Sequence, residues 1–174
     1  MRIAITGRPG VGKTTLVERV LEAVPLDAGG MLTKEVRKCG HRIGFAVIDV
    51  GTGARGMLAG LHEPAGPRLG RYTVNLGDLE AIGIAAIHDA VCRHELVVID
   101  EIAPMEAASP AFFPAVEAAL RSPKHLLVVT HAQFDHPLVH KIRQSFELYR
   151  VKMGNRDALV EPIVAALAAV HKGD

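Results

Sequence analysis

No apolar run in this chain comes near the roughly 20 residues that a helix needs to cross a bilayer, although 49% of its residues are hydrophobic. The apolar stretch behind Arg2 is only Ile3-Ala4-Ile5 and breaks at Thr6-Gly7, so it reads as a strand and not as a signal peptide. Charge of one sign is missing as well. With 20 basic and 19 acidic side chains the formal net charge is +1, which supplies no long-range field to gather nucleic acid or an anionic membrane. Cysteine is scarce: Cys39 falls in a polar turn and Cys92 in a predicted helix, too few for a disulfide framework or a metal set. Repeats and low-complexity linkers are also absent. The expectation is a soluble cytoplasmic protein, one domain over residues 1–174, with no nucleic acid or membrane partner and a chain long enough to bury a substantial core.

What is present is a regular alternation of strand and helix patterns. Arg2 to Thr6 reads as a buried strand, and Lys13 to Val24 as a helix with Leu16, Val20 and Val24 on one face, stopped by Pro25. Met31 to Arg37 and Arg42 to Val50 read as a hairpin or two neighbouring strands around Lys38-Cys39-Gly40-His41. The Gly/Pro-rich segment Gly51 to Gly70 reads as a mobile loop or a short strand excursion. Leu79 to Arg93 is a predicted helix, Leu96 to Ile99 an apolar strand, and Pro114 to Arg121 a helix. Strands follow at His125 to Val129 and Leu148 to Met153, and Asp157 to His171 closes the chain as a helix. Such alternation predicts an α/β three-layer sandwich, a mostly parallel sheet with helices on both faces.

The strongest local signal is "GRPGVGKTTL". A strand feeding Gly7-x-x-x-x-Gly12-Lys13-Thr14 and then a helix aims backbone N–H groups and the helix N-terminus at one point, an anion site. Gly7, Gly10 and Gly12 allow close backbone approach, with Arg8, Pro9 and Val11 between them and Thr15 following. Lys13 would reach the β- and γ-phosphates of a nucleoside triphosphate, and the Thr14 hydroxyl would ligate Mg²⁺. "LVVIDEI" supplies carboxylates: Asp100 at a strand end for the Mg²⁺ shell, and Glu101 to orient a water and accept its proton. Against this stands the plainer reading of an acidic pair that caps the next element. Thr130 is a weaker candidate for sensing the γ-phosphate.

Late in the chain, Asn155-Arg156-Asp157 falls where GTPases carry their Asn-Lys-x-Asp guanine reader, with the acid one position early and Arg for Lys. Strict guanine selectivity is not expected, although Asn155 and Arg156 sit where a base-edge or phosphate contact could be made. Arg8, Arg37, Arg42, Arg55 and Arg156 are candidates for stabilising transition-state charge, each against a plainer surface role. His131, His136 and His140 lie close together, but no HExxH pattern or cysteine partner supports a zinc site.

Beyond the phosphate loop, which very many proteins share, the chain resembles the THEP-type nucleoside triphosphatases over nearly its whole length. The resemblance runs through "GGMLTKEVRKCGHRIGF", "LGRYTVNLGDLE", "VVIDEIAPME" and "NRDALVEPI". It implies a P-loop NTPase fold, Mg²⁺-dependent hydrolysis of several nucleoside triphosphates with low base discrimination, and nucleotide contacts on Gly7 to Thr14 and around Val97, Val98, Ile99, Asp100, Glu101, Ile102, Ala103 and Pro104. Three departures stand out: Ala103-Pro104 where the family has Gly after Asp-Glu-Ile, Met31-Leu32 in place of an aromatic, and His131-Ala132-Gln133 after Thr130. They bear on substrate preference and rate. Two other readings of the same loop stay open: a kinase passing the γ-phosphate to a small acceptor, with Arg55, Arg68 and Arg71 on a lid, and a nucleotide-switched binding module with an unidentified protein partner.

Overall fold

In the computed structural model, which describes residues 1–169, the period-2 alternation of the central strands decides the architecture. Ile3 and Ile5 of β1 (Arg2–Gly7) face one side of the sheet, and Ala4 faces the other. The same split separates Leu96 and Val98 from Val97 and Ile99 in β7 (Leu96–Ile102), and Leu127 and Val129 from Leu126 and Val128 in β8 (His125–His131). All of these side chains are fully buried, because a parallel strand at the centre of such a fold has helices on both faces.

One face is covered by α1 (Lys13–Ala23), through Leu16, Val17 and Val20, and by α6 (Val160–Ala168), through Ile163 and Leu167. The other is covered by α3 (Ala85–Arg93), α4 (Phe112–Arg121) and α5 (Pro137–Ser145), through Ile87, Ala90, Phe112, Val116, Val139 and Ile142. The expected α/β three-layer sandwich is therefore present. The part of the predicted last helix that reaches His171 lies outside the described residues. Among the described residues no helix is long and apolar enough to cross a membrane.

The remaining strands are β2 (Ala28–Lys38), β3 (His41–Asp49), β4 (Arg55–Gly60), β5 (Arg68–Leu69), β6 (Tyr72–Val74) and β9 (Glu147–Val151). Among the described residues the sheet has nine strands in the order β5-β6-β4-β3-β2-β7-β8-β1-β9. From β2 to β9 every pairing is parallel, and from β2 outward to β5 every pairing is antiparallel. Met31 to Arg37 and Arg42 to Val50 do form a hairpin, and the Gly/Pro-rich segment takes the second of its two readings, a strand excursion that carries β4 and β5.

Helical structure on the α3 side begins earlier than expected, with α2 (Leu76–Asp78). Asn75 caps it by accepting from the Asp78 N–H at 3.0 Å. A π-helical turn over Leu79–Ile84 joins it to α3. The placement of β8 between β1 and β7 has the main functional consequence. The phosphate loop leaves β1 and the acidic pair leaves β7, so a one-strand gap separates them, and a ligand can lie across it at the carboxyl ends of the strands.

Candidate active site

Gly12 occupies the left-handed region at φ 95° and is the N-cap of α1, with no side-chain cap and no acidic residue in the first turn. The first N–H groups of that helix therefore point at the loop without a carboxylate to satisfy them, which favours an anion. A side chain at Gly12 would meet Arg156, whose Cδ lies 2.9 Å from where a Cβ would stand.

Lys13 is 6% exposed. Its Nζ donates to the Gly7 and Arg8 carbonyls at 3.3 and 3.5 Å and lies 3.5 Å from Glu101 Oε2. Thr14 Oγ1 donates to Asp100 Oδ2 at 2.7 Å. Asp100 is fully buried, and that burial above all pushes its carboxyl up to about 7; the Thr14 hydrogen bond opposes the shift, and neighbouring Glu101 adds to it.

Asp100 Oδ1 and Glu101 Oε1 are buried and have no hydrogen-bond partner. An unsatisfied buried carboxylate oxygen calls for an explanation. Here two such oxygens stand beside a hydroxyl and a lysine that can hold phosphates. That donor set, one carboxylate and one hydroxyl of hard oxygen type, fits Mg²⁺ completed by phosphate oxygens and waters.

Glu106 was not singled out by its spacing. It follows β7 in a 3₁₀ turn over Glu106–Ala108 and is 3% exposed. Burial raises its carboxyl well above the ordinary value, and Oε2 has no partner. A carboxyl four positions past a strand carries no pattern of its own, so only the packing reveals it.

Gly12, Lys13, Thr14, Glu101 and Glu106 line one cleft of about 910 Å³ together with Pro9, Gly10, Thr15, Ala103, Pro104 and His131, while Asp100 is buried against Thr14 beside it. Several predicted contact residues lie elsewhere. Val97, Val98, Ile99 and Ile102 are 0% exposed core residues of β7 and are not among those that line the cleft. Thr130 is likewise buried, and its hydroxyl accepts from Arg143 Nε at 3.2 Å, which leaves His131 as the residue at the end of β8 that faces the cleft.

Asn155 is committed to its own loop: Oδ1 accepts from the Lys152 N–H at 2.8 Å, and Nδ2 donates to the Arg150 carbonyl at 3.0 Å. Arg156 lies over Gly12 and donates to Asp157 at 2.8 Å. Arg37 and Arg42 line the cleft, whereas Arg55 opens β4 opposite Ile48. The three histidines are used separately. His136 caps α5 and stacks on Phe113, His140 bonds Asp135 at 2.6 Å, and His131 accepts from the Gln133 N–H.

The chain is similar to known proteins along nearly its whole length. A nucleoside-triphosphatase THEP1 from Methanosarcina acetivorans is 48% identical over 94% of each chain, and one from Thermofilum pendens is 44% identical over 95% of this chain and 94% of its own. The crystal structure of THEP1 from Aquifex aeolicus superposes with a TM-score of 0.84 at 33% identity, covering 96% of this chain and 99% of that one. The solution structure of a human cancer-related nucleoside triphosphatase gives 0.78 at 32% identity, with 97% of both chains covered. The profile of the family described as NTPase matches residues 2–164, and the chain belongs to that family.

Proposed function

We propose that the protein hydrolyses nucleoside triphosphates to diphosphates and phosphate, with Mg²⁺ and with little discrimination among bases. The observation that carries the reading is the position of Glu101. Its carboxylate stands 3.5 Å from the phosphate-loop lysine and next to Asp100, with one oxygen buried and unpartnered at the cleft. A carboxylate so close to the phosphate-loop lysine supports its role as the base that takes a proton from a water attacking in line with the γ-phosphate.

Lys13 and the loop N–H groups hold the β- and γ-phosphates. Thr14 and Asp100 would hold Mg²⁺, whose charge helps to offset the charge developing on the phosphates. Asp100 must give up its proton to do so, which the neighbouring ammonium of Lys13 favours. The loop after β9 supports the reading of loose base choice. Asn155, the amide that the sequence offers for a base edge, already spends both ends of its side chain on the backbone. The named activity of the relatives supports hydrolysis; a cytoplasmic location belongs to the same proposal.

The test compares phosphate release from ATP, GTP, CTP and UTP by the wild type and by Glu101→Gln. Release from all four by the wild type, reduced about 10²-fold or more in the variant with nucleotide affinity retained, is expected. Parallel loss of binding and release would remove Glu101 from the role of base.

A further inference from the structure

The cleft continues well past the phosphate loop. Along β2 it is lined in turn by Thr33, Glu35 and Arg37. Met31 pairs with Ile99, so Thr33 stands at about the level of Glu101. At ~3.3 Å per strand residue, Arg37 lies roughly 13 Å farther out. Arg42 is its partner across the hairpin. That spacing along the strand sets this end of the cleft apart from the Lys13 end.

The chemistry of the far end is cationic and fixed. Arg37 and Arg42 share one carboxylate, Glu35, each at 2.9 Å. Arg71 has no carboxylate within ion-pair distance among the described residues. The buried Tyr72 hydroxyl accepts from Arg42 Nε at 2.9 Å and from Arg71 Nε and Nη2 at 3.1 and 2.9 Å. Arg42 also lies over the Phe45 ring at 5.1 Å and Arg71 over the Tyr72 ring at 5.1 Å. These contacts hold the guanidinium planes but engage neither Arg42 Nη2 nor Arg71 Nη1. Two held forks with donors left over, in surroundings with excess positive charge, suit a tetrahedral oxyanion.

We propose that this end of the cleft is a second ligand site, in which Arg42 and Arg71 take the phosphate of a small phosphomonoester while the phosphate loop holds the nucleotide. Phe45 and Leu69 give its organic body an apolar wall. The site does not depend on water being the phosphoryl acceptor, only on the loop and the arginines being filled separately.

The test saturates the full chain with Mg²⁺ and the non-hydrolysable imido analogue of ATP, which fills the γ-phosphate position. Ribose 5-phosphate and ribose are then titrated in by calorimetry. Saturable binding of the phosphorylated sugar and none of ribose is expected. Arg71→Ala should weaken that binding about tenfold or more while affinity for the analogue stays unchanged, which also shows the variant to be folded.

Absence of binding to the filled wild type would overturn the proposal and leave the arginines as a stack that ties β6 to the hairpin. Binding unaffected by both Arg71→Ala and Arg42→Met would do the same. Failure of the analogue itself to bind would count against the nucleotide reading. The same titration on Lys13→Ala would then decide the second site by itself.

Discussion

Asn155 shows how a residue in a suggestive position can do something other than its position suggests. From its place beside Arg156 it could read a base edge, yet its amide is spent on the Lys152 N–H and the Arg150 carbonyl. Its removal should loosen the loop after β9, at a cost of about 1 kcal/mol per hydrogen bond lost. All four nucleotides should be affected alike. Steady-state KM values for ATP, GTP, CTP and UTP with Asn155→Ala check this, and a loss confined to one base would show that the side chain reads that base. Thr130 makes the same point: its place after "LLVV" invites a phosphate contact, and its hydroxyl is turned to Arg143 instead. Side-chain direction at a strand end depends on neighbours distant in sequence, so spacing alone cannot supply it.

At the scale of elements, β2 does most to shape the cleft. Its first half pairs in parallel with β7 and its second half runs out with β3, so one strand belongs both to the nucleotide-binding sheet and to the arginine-bearing ribbon. Gly30 makes the first pairing possible. It holds φ at 115°, and a Cβ there would fall on the Val98 carbonyl. Backbone strain and a backbone clash arise together, so Gly30→Ala should cost about 2 kcal/mol or more. Urea unfolding should show this as a lower midpoint at unchanged slope, and a midpoint within error of the wild type would mean that β2 docks less tightly than its register implies. The predicted hairpin and the apolar strand at Leu96 are present, because period and turn residues are local signals. The early start of the α3 helix and the strands inside Gly51 to Gly70 rest on the Asn75 cap and on edge pairing, for which the local pattern is weak.

For the whole molecule, the acidic residues under the loop tie stability to pH. Burial raises Asp100 to about 7 and Glu106 well above its ordinary 4.5. The native state therefore holds more protons than the unfolded chain once pH exceeds the ordinary carboxyl values. Stability contributed by the protonated forms is complete below those values and is lost as pH rises through the folded ones. In metal-free buffer the urea midpoint should fall between about pH 5 and about pH 8, and Glu106→Gln should flatten that fall because the amide carries no proton to lose. Equal slopes for the two proteins would mean that Glu106 remains ionised in the native state. Mg²⁺ should reverse part of the fall at the alkaline end, since it binds the deprotonated Asp100.

The sequence by itself determined the three-layer alternation, the phosphate loop and the pairing of Asp100 with Glu101 as a chemical unit. Each is written in contiguous residues whose period or spacing has a direct physical meaning. It also carried the family likeness, through segments more specific than the loop. Only the tertiary structure decided that Thr14 and Asp100 meet at 2.7 Å across the β8 gap and that Glu106 is drawn in beside them. The same is true of Arg37, Arg42, Arg71 and Tyr72, which it gathers at the far end of the same cleft. The first of those meetings joins residues 86 positions apart. Those meetings depend on strand order and register, which are set by packing over the whole sheet and not by any local stretch of chain.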